Sequence, residues 1–238
     1  MGALWVRTCA VVLVWWRPSP RRDDQSPSPH LTVSPFVVPR NAMGVRAVFL
    51  VGFMASGKSS LGQQLARRLD WDFVDLDARI ESREQQSIPE IFRDRGEAGF
   101  RLAETSALRE LTEALGRDSL DRNTVVALGG GTFAQPPNLE LLQPWPSIFL
   151  DAPLDELWRR STEDATIRPL RNDPTEFARL HEHRLPFYRQ ATVTVVTSGK
   201  DPASLCAEIE RTLQSWGTSE AAGSSEIPSA PSGTGESQ

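Results

Sequence analysis

The sequence predicts an α/β domain in which helices cover a parallel sheet. Between Val45 and about Trp216, short β-branched or aromatic runs alternate with longer helical patterns, the order produced by parallel strands joined through crossover helices. Leu61, Leu65 and Leu69 recur at a spacing of four, as do Leu205, Ile209 and Leu213; helical geometry puts each set on one face, against a core. A chain of 238 residues accommodates one domain with extensions and a core that needs neither disulfide nor metal.

Residues 1–43 stand apart from that pattern. MGALWVRTCAVVLVWWRPSP imitates the charged start and short apolar stretch of a signal peptide, but the run is too short to cross a bilayer and no small-x-small cleavage site follows. RPSPRRDDQSPSPHLTVSPFVVPR, rich in Pro, Ser and Arg, has too little apolar surface to build a core. We read residues 1–43 as a disordered extension. A transit peptide is an alternative, as is a start codon assigned too early, which Met43, just before the first convincing strand, supports.

The elements then follow in order. RAVFLV is the first strand, GFMASGKSS the glycine-rich loop after it, and DFVDL the second strand. Ser87-Ile88-Pro89-Glu90 has the composition of a helix start, with a serine cap, a first-turn proline and a glutamate to return a hydrogen bond. TVVAL and SIFLD are the third and fourth strands; a polar lid is expected over about residues 161–174, in STEDATIRPLRNDP. TVTVV is the fifth strand, and a last helix reaches Trp216. Residues 217–238 are small, polar and proline-containing, the composition of a disordered tail.

The net charge of −5 and the scattered arginines argue against nucleic acid as a partner. Cys9 and Cys206 have no metal-like or disulfide spacing, which favours a reducing, cytoplasmic setting. Neither a membrane partner nor an oligomer is expected; the expectation is a monomer.

Gly52, Gly57, Lys58 and Ser59 fit G-x-x-x-x-G-K-[ST], with an apolar strand before and an amphipathic helix after, as a phosphate cradle requires. Phosphate contacts are expected from Gly52, Ala55, Ser56, Gly57, Lys58, Ser59 and Ser60. Inward backbone N–H groups and the helix N-terminus hold the phosphates, and the Ser59 hydroxyl is a Mg²⁺ ligand. Lys58 is one of two lysines in the chain; its slender ammonium reaches between phosphates where a broad guanidinium does not fit. The other, Lys200 in SGKD, lacks the asparagine and spacing of a guanine-specificity motif, so the nucleotide expected is ATP with a small acceptor.

Asp75 and Asp77 follow the second strand, and ligands of open α/β sheets gather beyond the carboxyl ends of strands; the plain alternative is that they cap the next helix. Arg101 and Glu104, at i,i+3 on a helix, share one face, with a surface ion pair as the plain alternative. Gly129-Gly130-Gly131, directly after TVVAL, suits backbone that must approach a ligand closely.

In order and approximate spacing, GFMASGKSS, FVDLDARIE, SIPEIFRDRGEAGFRLAE, VVALGGGT, IRPL and RLPFYRQA resemble the shikimate kinases, over nearly all of Val45 to Trp216. The resemblance implies a three-layer, nucleoside-monophosphate-kinase-like P-loop fold with a central five-stranded parallel sheet. The activity implied is transfer of the γ-phosphoryl of ATP to the 3-hydroxyl of shikimate, on the route to aromatic amino acids. Asp77 would hold the acceptor hydroxyl and take its proton; Asp75 would order water around Mg²⁺. Arg101 and Arg184 would grip the shikimate carboxylate, with Glu104 orienting Arg101, and Gly130 and Gly131 would approach the ring. Lys58 and Arg168 would neutralise the phosphoryl charge, and Arg160 would stack on adenine unless adjacent Arg159 does.

Three departures accompany the resemblance. Ala55 stands where the family usually has a second loop glycine, which is tolerable if its φ is negative. Gln86 replaces a common glycine before SIPE, and RPLR departs after the lid arginine. His181 and His183 are expected to be structural or exposed, and Tyr188 to pack in the core. Two alternatives are another small-molecule kinase of this fold, gluconate-kinase-like, and a catalytically silent nucleotide-binding module.

Overall fold

A computed structural model describes residues 45–117, 122–163 and 173–221. The expected extension, most of the lid with Arg168, and the chain from 222 onward lie outside the described residues. The elements run β1 (Ala47–Val51), α1 (Lys58–Leu69), β2 (Asp72–Asp75), α2 (Leu76–Glu84), α3 (Ile88–Gly116) and β3 (Thr124–Ala127). A 3₁₀ turn (Thr132–Ala134), α4 (Pro136–Leu142), β4 (Ser147–Asp151), α5 (Leu154–Glu163), α6 (Pro174–Tyr188), β5 (Val193–Val196) and α7 (Pro202–Ala221) complete the order.

The five strands form one parallel sheet in the order β2-β3-β1-β4-β5. Every residue of β1 is buried, and its side chains alternate between two cores. Ala47, Phe49 and Val51 face helices α2 to α6, while Val48 and Leu50 face α1 and α7. Alternation of side chains across a strand, with apolar residues on both sides, is why the sheet must be covered twice. Burial of a side chain such as Leu50 or Phe49 contributes about 1.5–3 kcal/mol.

Strand order positions the site. β1 pairs with β3 on one side and β4 on the other, so the chain leaving β1 emerges beside the chain leaving β3. A crevice at such a switch of strand order is where ligands of this architecture bind.

Local signals in the sequence explain several helix ends. The Glu90 carboxylate accepts from the Ser87 backbone N–H at 2.8 Å and its hydroxyl at 2.7 Å, which holds its pKa below the usual carboxylate range. α3 breaks at Gly96 (φ 66°, ψ −175°), a conformation open only to glycine among the coded residues, and its second half then carries Arg101 and Glu104. The left-handed residue before α3 is Gln85 (φ 51°), not Gln86, so the glycine replacement at Gln86 falls on a position with no positive φ. α7 continues to Ala221, past the end expected at Trp216. No helix among the described residues is long and apolar enough to cross a membrane.

Candidate active site

The loop between β1 and α1 closes around Lys58, a residue 9% exposed. Its Nζ donates to the carbonyls of Phe53 (2.8 Å) and Gly52 (3.0 Å) and to Ser56 Oγ (3.4 Å). A compact cation with rotatable donors satisfies three acceptors at that depth. Gly57, the residue before α1, has φ 88°, so the turn that starts the helix and aims its first N–H groups into the loop needs glycine there. Ser60 Oγ turns back to the Gly57 carbonyl at 3.2 Å.

Ala55 has φ 61°. The condition under which alanine was expected to be harmless, a negative φ, is not met: an L-residue in the left-handed region costs about 1–2 kcal/mol. The loop therefore carries backbone strain at the position where glycine was expected.

β2 ends at Asp75, and Asp77 already lies in the first turn of α2. Asp75 caps the helix, the plain alternative, and also reaches the phosphate loop. Its Oδ1 caps α2 by accepting from Asp77 N–H (3.0 Å) and Ala78 N–H (3.4 Å), while its Oδ2 accepts from the Ser59 hydroxyl at 2.5 Å. A hydroxyl and a carboxylate oxygen thus meet at the mouth of the phosphate loop. Among the described residues no group of three or more His, Cys, Asp or Glu could hold a metal by itself. That donor set fits Mg²⁺, which favours oxygen, retains waters and completes its shell with substrate phosphates.

The three glycines after β3 bring the remaining groups together. A Cβ on Gly129 would lie 2.6 Å from Asp77 Oδ1 and 2.9 Å from Thr132 Oγ1. One on Gly131 would lie 2.8 Å from Arg101 Nη1, and one on Gly130 would lie 3.3 Å from the backbone nitrogen of Met54 in the phosphate loop. Bare backbone is required because carboxylate, guanidinium and loop all press against it. Sequence reasoning chose Gly130 and Gly131; Gly129, whose missing side chain makes room for Asp77, is the third member.

Arg101 donates through Nη1 to Glu104 at 2.9 Å and through Nη2 to Glu97 at 3.2 Å. Glu104 is 1% exposed, so this pair is no surface bridge; a buried carboxylate needs such partners. Arg101 Nε is buried with no hydrogen-bond partner among the described residues, an unsatisfied donor of the kind that is costly in a folded chain. Arg184 reaches the same ribbon from α6, with Nη1 on the Gly130 carbonyl at 3.2 Å and its guanidinium 5.9 Å from the centre of the Phe53 ring.

Tyr188 does more than pack. It is fully buried, its hydroxyl donates to the Gly130 carbonyl, and burial pushes its pKa up to about 12, so it remains a donor at any working pH. The lone tyrosine next to a candidate arginine helix was the available signal. His181 packs edge-on to Phe53, ring centres 5.2 Å apart, and burial lowers its pKa. Arg160 pairs with Glu156 at 2.6 Å and is less exposed than Arg159, which pairs with Glu163.

A family model described as shikimate kinase matches residues 54–214. A shikimate kinase of Synechococcus sp. (strain CC9605) is 42% identical over 173 residues, 71% of this chain and 83% of the relative. Among solved structures, the shikimate kinase of Acinetobacter baumannii in complex with shikimate superposes with a TM-score of 0.64 at 32% identity, covering 73% of this chain and 95% of that one. A gluconokinase from Sinorhizobium meliloti shares the fold alone, with TM-score 0.50 and 18% identity over 78% of this chain and 99% of that one.

Proposed function

The chain belongs to the shikimate kinase family, and from that premise we propose that it transfers the γ-phosphoryl group of ATP to the 3-hydroxyl of shikimate, giving shikimate 3-phosphate and ADP on the route to aromatic amino acids. The observation that carries the proposal is the glycine ribbon, against which Asp77, Arg101, Arg184 and the phosphate loop converge. A carboxylate that can accept a proton, two guanidinium groups and a nucleotide cradle then meet at one stretch of backbone, as in-line transfer between ATP and a hydroxylated acid requires.

Arg101 and Arg184 bind the shikimate carboxylate through paired hydrogen bonds and set the ring so that one hydroxyl lies at Asp77. As the new P–O bond forms, Asp77 takes the hydroxyl proton, and the bond from phosphorus to the bridging oxygen of ADP breaks. Lys58 leaves its loop carbonyls for the phosphoryl oxygens, aided by the loop N–H groups of Ala55, Ser56, Gly57, Ser59 and Ser60. Ser59, directly, and Asp75, through water, are the residues that would hold Mg²⁺ carried with ATP, whose charge offsets that of the phosphates. Arg168 adds a second cation from the lid, and Arg160, the less exposed of its pair, lies along the adenine. A monomer working in the cytoplasm is the assembly and setting proposed together with this activity.

The test is coupled ADP release with shikimate or gluconate as acceptor. Turnover with shikimate is expected, with kcat reduced about 10²–10⁴-fold in Asp77→Asn and shikimate KM raised in Arg101→Ala. Turnover with gluconate and not shikimate refutes the acceptor; no turnover with either leaves the silent nucleotide-binding module.

A further inference from the structure

We propose that Thr132 is a positioning residue for the acceptor, acting through Glu104 on Arg101. This role rests on the assignment of Arg101 to the shikimate carboxylate.

Glu104 has its two oxygens divided between two partners. Oε2 accepts from Arg101 Nη1 at 2.9 Å, and Oε1 accepts from Thr132 Oγ1 at 2.7 Å. A carboxylate tied at one oxygen can still rotate about that contact. Tied at both, its plane is set, and with it the direction from which the guanidinium is held. Glu104 is 1% exposed and Thr132 fully buried, so the bond from hydroxyl to carboxylate forms where unpaired polar atoms are costly.

Thr132 is itself anchored. Its N–H donates to the Gly129 carbonyl at 3.1 Å, and its own carbonyl accepts from Asn138 Nδ2 at 3.1 Å. Asn138 is fully buried in α4. The branched Cβ restricts χ1, and bare Gly129 leaves Oγ1 room, since a Cβ there would approach it to 2.9 Å. A continuous polar path thus runs from Asn138 through Thr132 and Glu104 to Arg101, and places the turn after the glycines in control of an arginine from a different element.

The experiment compares Thr132→Val, Thr132→Ser and the unmodified chain by steady-state kinetics. Valine preserves shape and removes the donor; serine keeps the donor. Thr132→Val is expected to raise the KM for shikimate by about tenfold, the size of a modest hydrogen bond to a charged group. The KM for ATP should stay within about twofold, because the phosphate loop is untouched. Thr132→Ser is expected to recover most of the loss. Calorimetric titration with shikimate should show the same ranking in Kd. If the valine chain does not fold, Thr132→Ala takes its place, judged against serine in the same way. A shikimate KM unchanged in the valine or alanine chain, an equal loss in serine, or an equal rise in the KM for ATP overturns the role. Failure of the unmodified chain to use shikimate overturns the parent function and this role together, whereas turnover with indifferent variants overturns the role alone.

Discussion

Substitution of Gly129 by alanine tests whether the site is limited by space. The added Cβ would stand 2.6 Å from Asp77 Oδ1 and 2.9 Å from Thr132 Oγ1, with Glu104 Oε1 at 3.4 Å. Ordinary contact lies at 3.4 Å and a tight one at 3.0 Å, so Asp77 must retreat by 0.4–0.8 Å from its 2.6 Å approach. Thr132 offers little relief, because it is fully buried and bonded to Glu104. Overpacking of this kind costs about 1–3 kcal/mol of stability, and moving Asp77, the proposed proton acceptor, by up to about 1 Å costs up to about 10²-fold in rate. Gly129→Ala is therefore expected to lower kcat with shikimate by about 30- to 100-fold and to lower the thermal midpoint, read by coupled assay and calorimetry. Gly116→Ala is the control: a Cβ there meets nothing within 4 Å at the end of α3, so activity should hold and stability rise slightly. A Gly129→Ala chain with kcat within threefold of the parent and an unchanged midpoint would refute the crowding argument.

Ala55→Gly should relieve the left-handed strain at φ 61°; after the extra freedom of the unfolded chain is subtracted, a gain of about 0.5–1 kcal/mol remains, seen as a midpoint higher by about 1–4 °C. No gain would show that the loop tolerates alanine without strain. Ser59→Ala removes the hydroxyl that meets Asp75 and is expected to raise the Mg²⁺ concentration for half-maximal rate about tenfold or more, with chelation abolishing turnover; an unchanged Mg²⁺ profile would remove Ser59 from the metal site. Burial depresses the pKa of His181, so the unfolded chain binds its proton first. Stability from the neutral ring is present above the unfolded value of about 6.5 and is lost as pH falls through the depressed folded value. Denaturant melts from pH 7.5 to 5.5 should therefore show a decline that His181→Gln lessens, and an equal slope in the variant counts against the assignment.

Local patterns were legible because local physics produces them. The central strands β1, β3 and β4 appear where apolar runs stand, since a strand buried on both faces has to be largely apolar, while the edge strands β2 and β5 are read from β-branched and aromatic residues interspersed with polar ones. Lys58 and Gly57 could be read from the loop because phosphate geometry needs those residue types at that spacing. The pairs Asp75/Asp77 and Arg101/Glu104 were visible as pairs, but each had a bland explanation that only burial and partners could decide. Asp75 proves to be a helix cap and a partner of Ser59 at once, and Glu104 is buried. The sign of φ at Ala55 was not legible, because alanine's side chain does not report backbone handedness.

By itself, then, the sequence determined the alternating architecture and the phosphate loop with its lysine, since these follow from periodicity and from chemistry confined to a few adjacent positions; the candidates for an acidic, hydroxylated acceptor came from the resemblance to shikimate kinases. Only the tertiary structure decided what meets what. Strand order lays the loop after β3 between the loops after β1 and β2, which sets Gly130 against Met54 and Gly129 against Asp77, while α3 and α6 bring Arg101 to Gly131 and Arg184 with Tyr188 to the Gly130 carbonyl. Contacts between residues 54 positions apart, such as Arg184 and Gly130, arise from packing two cores around one sheet, which leaves no mark in either local stretch of sequence.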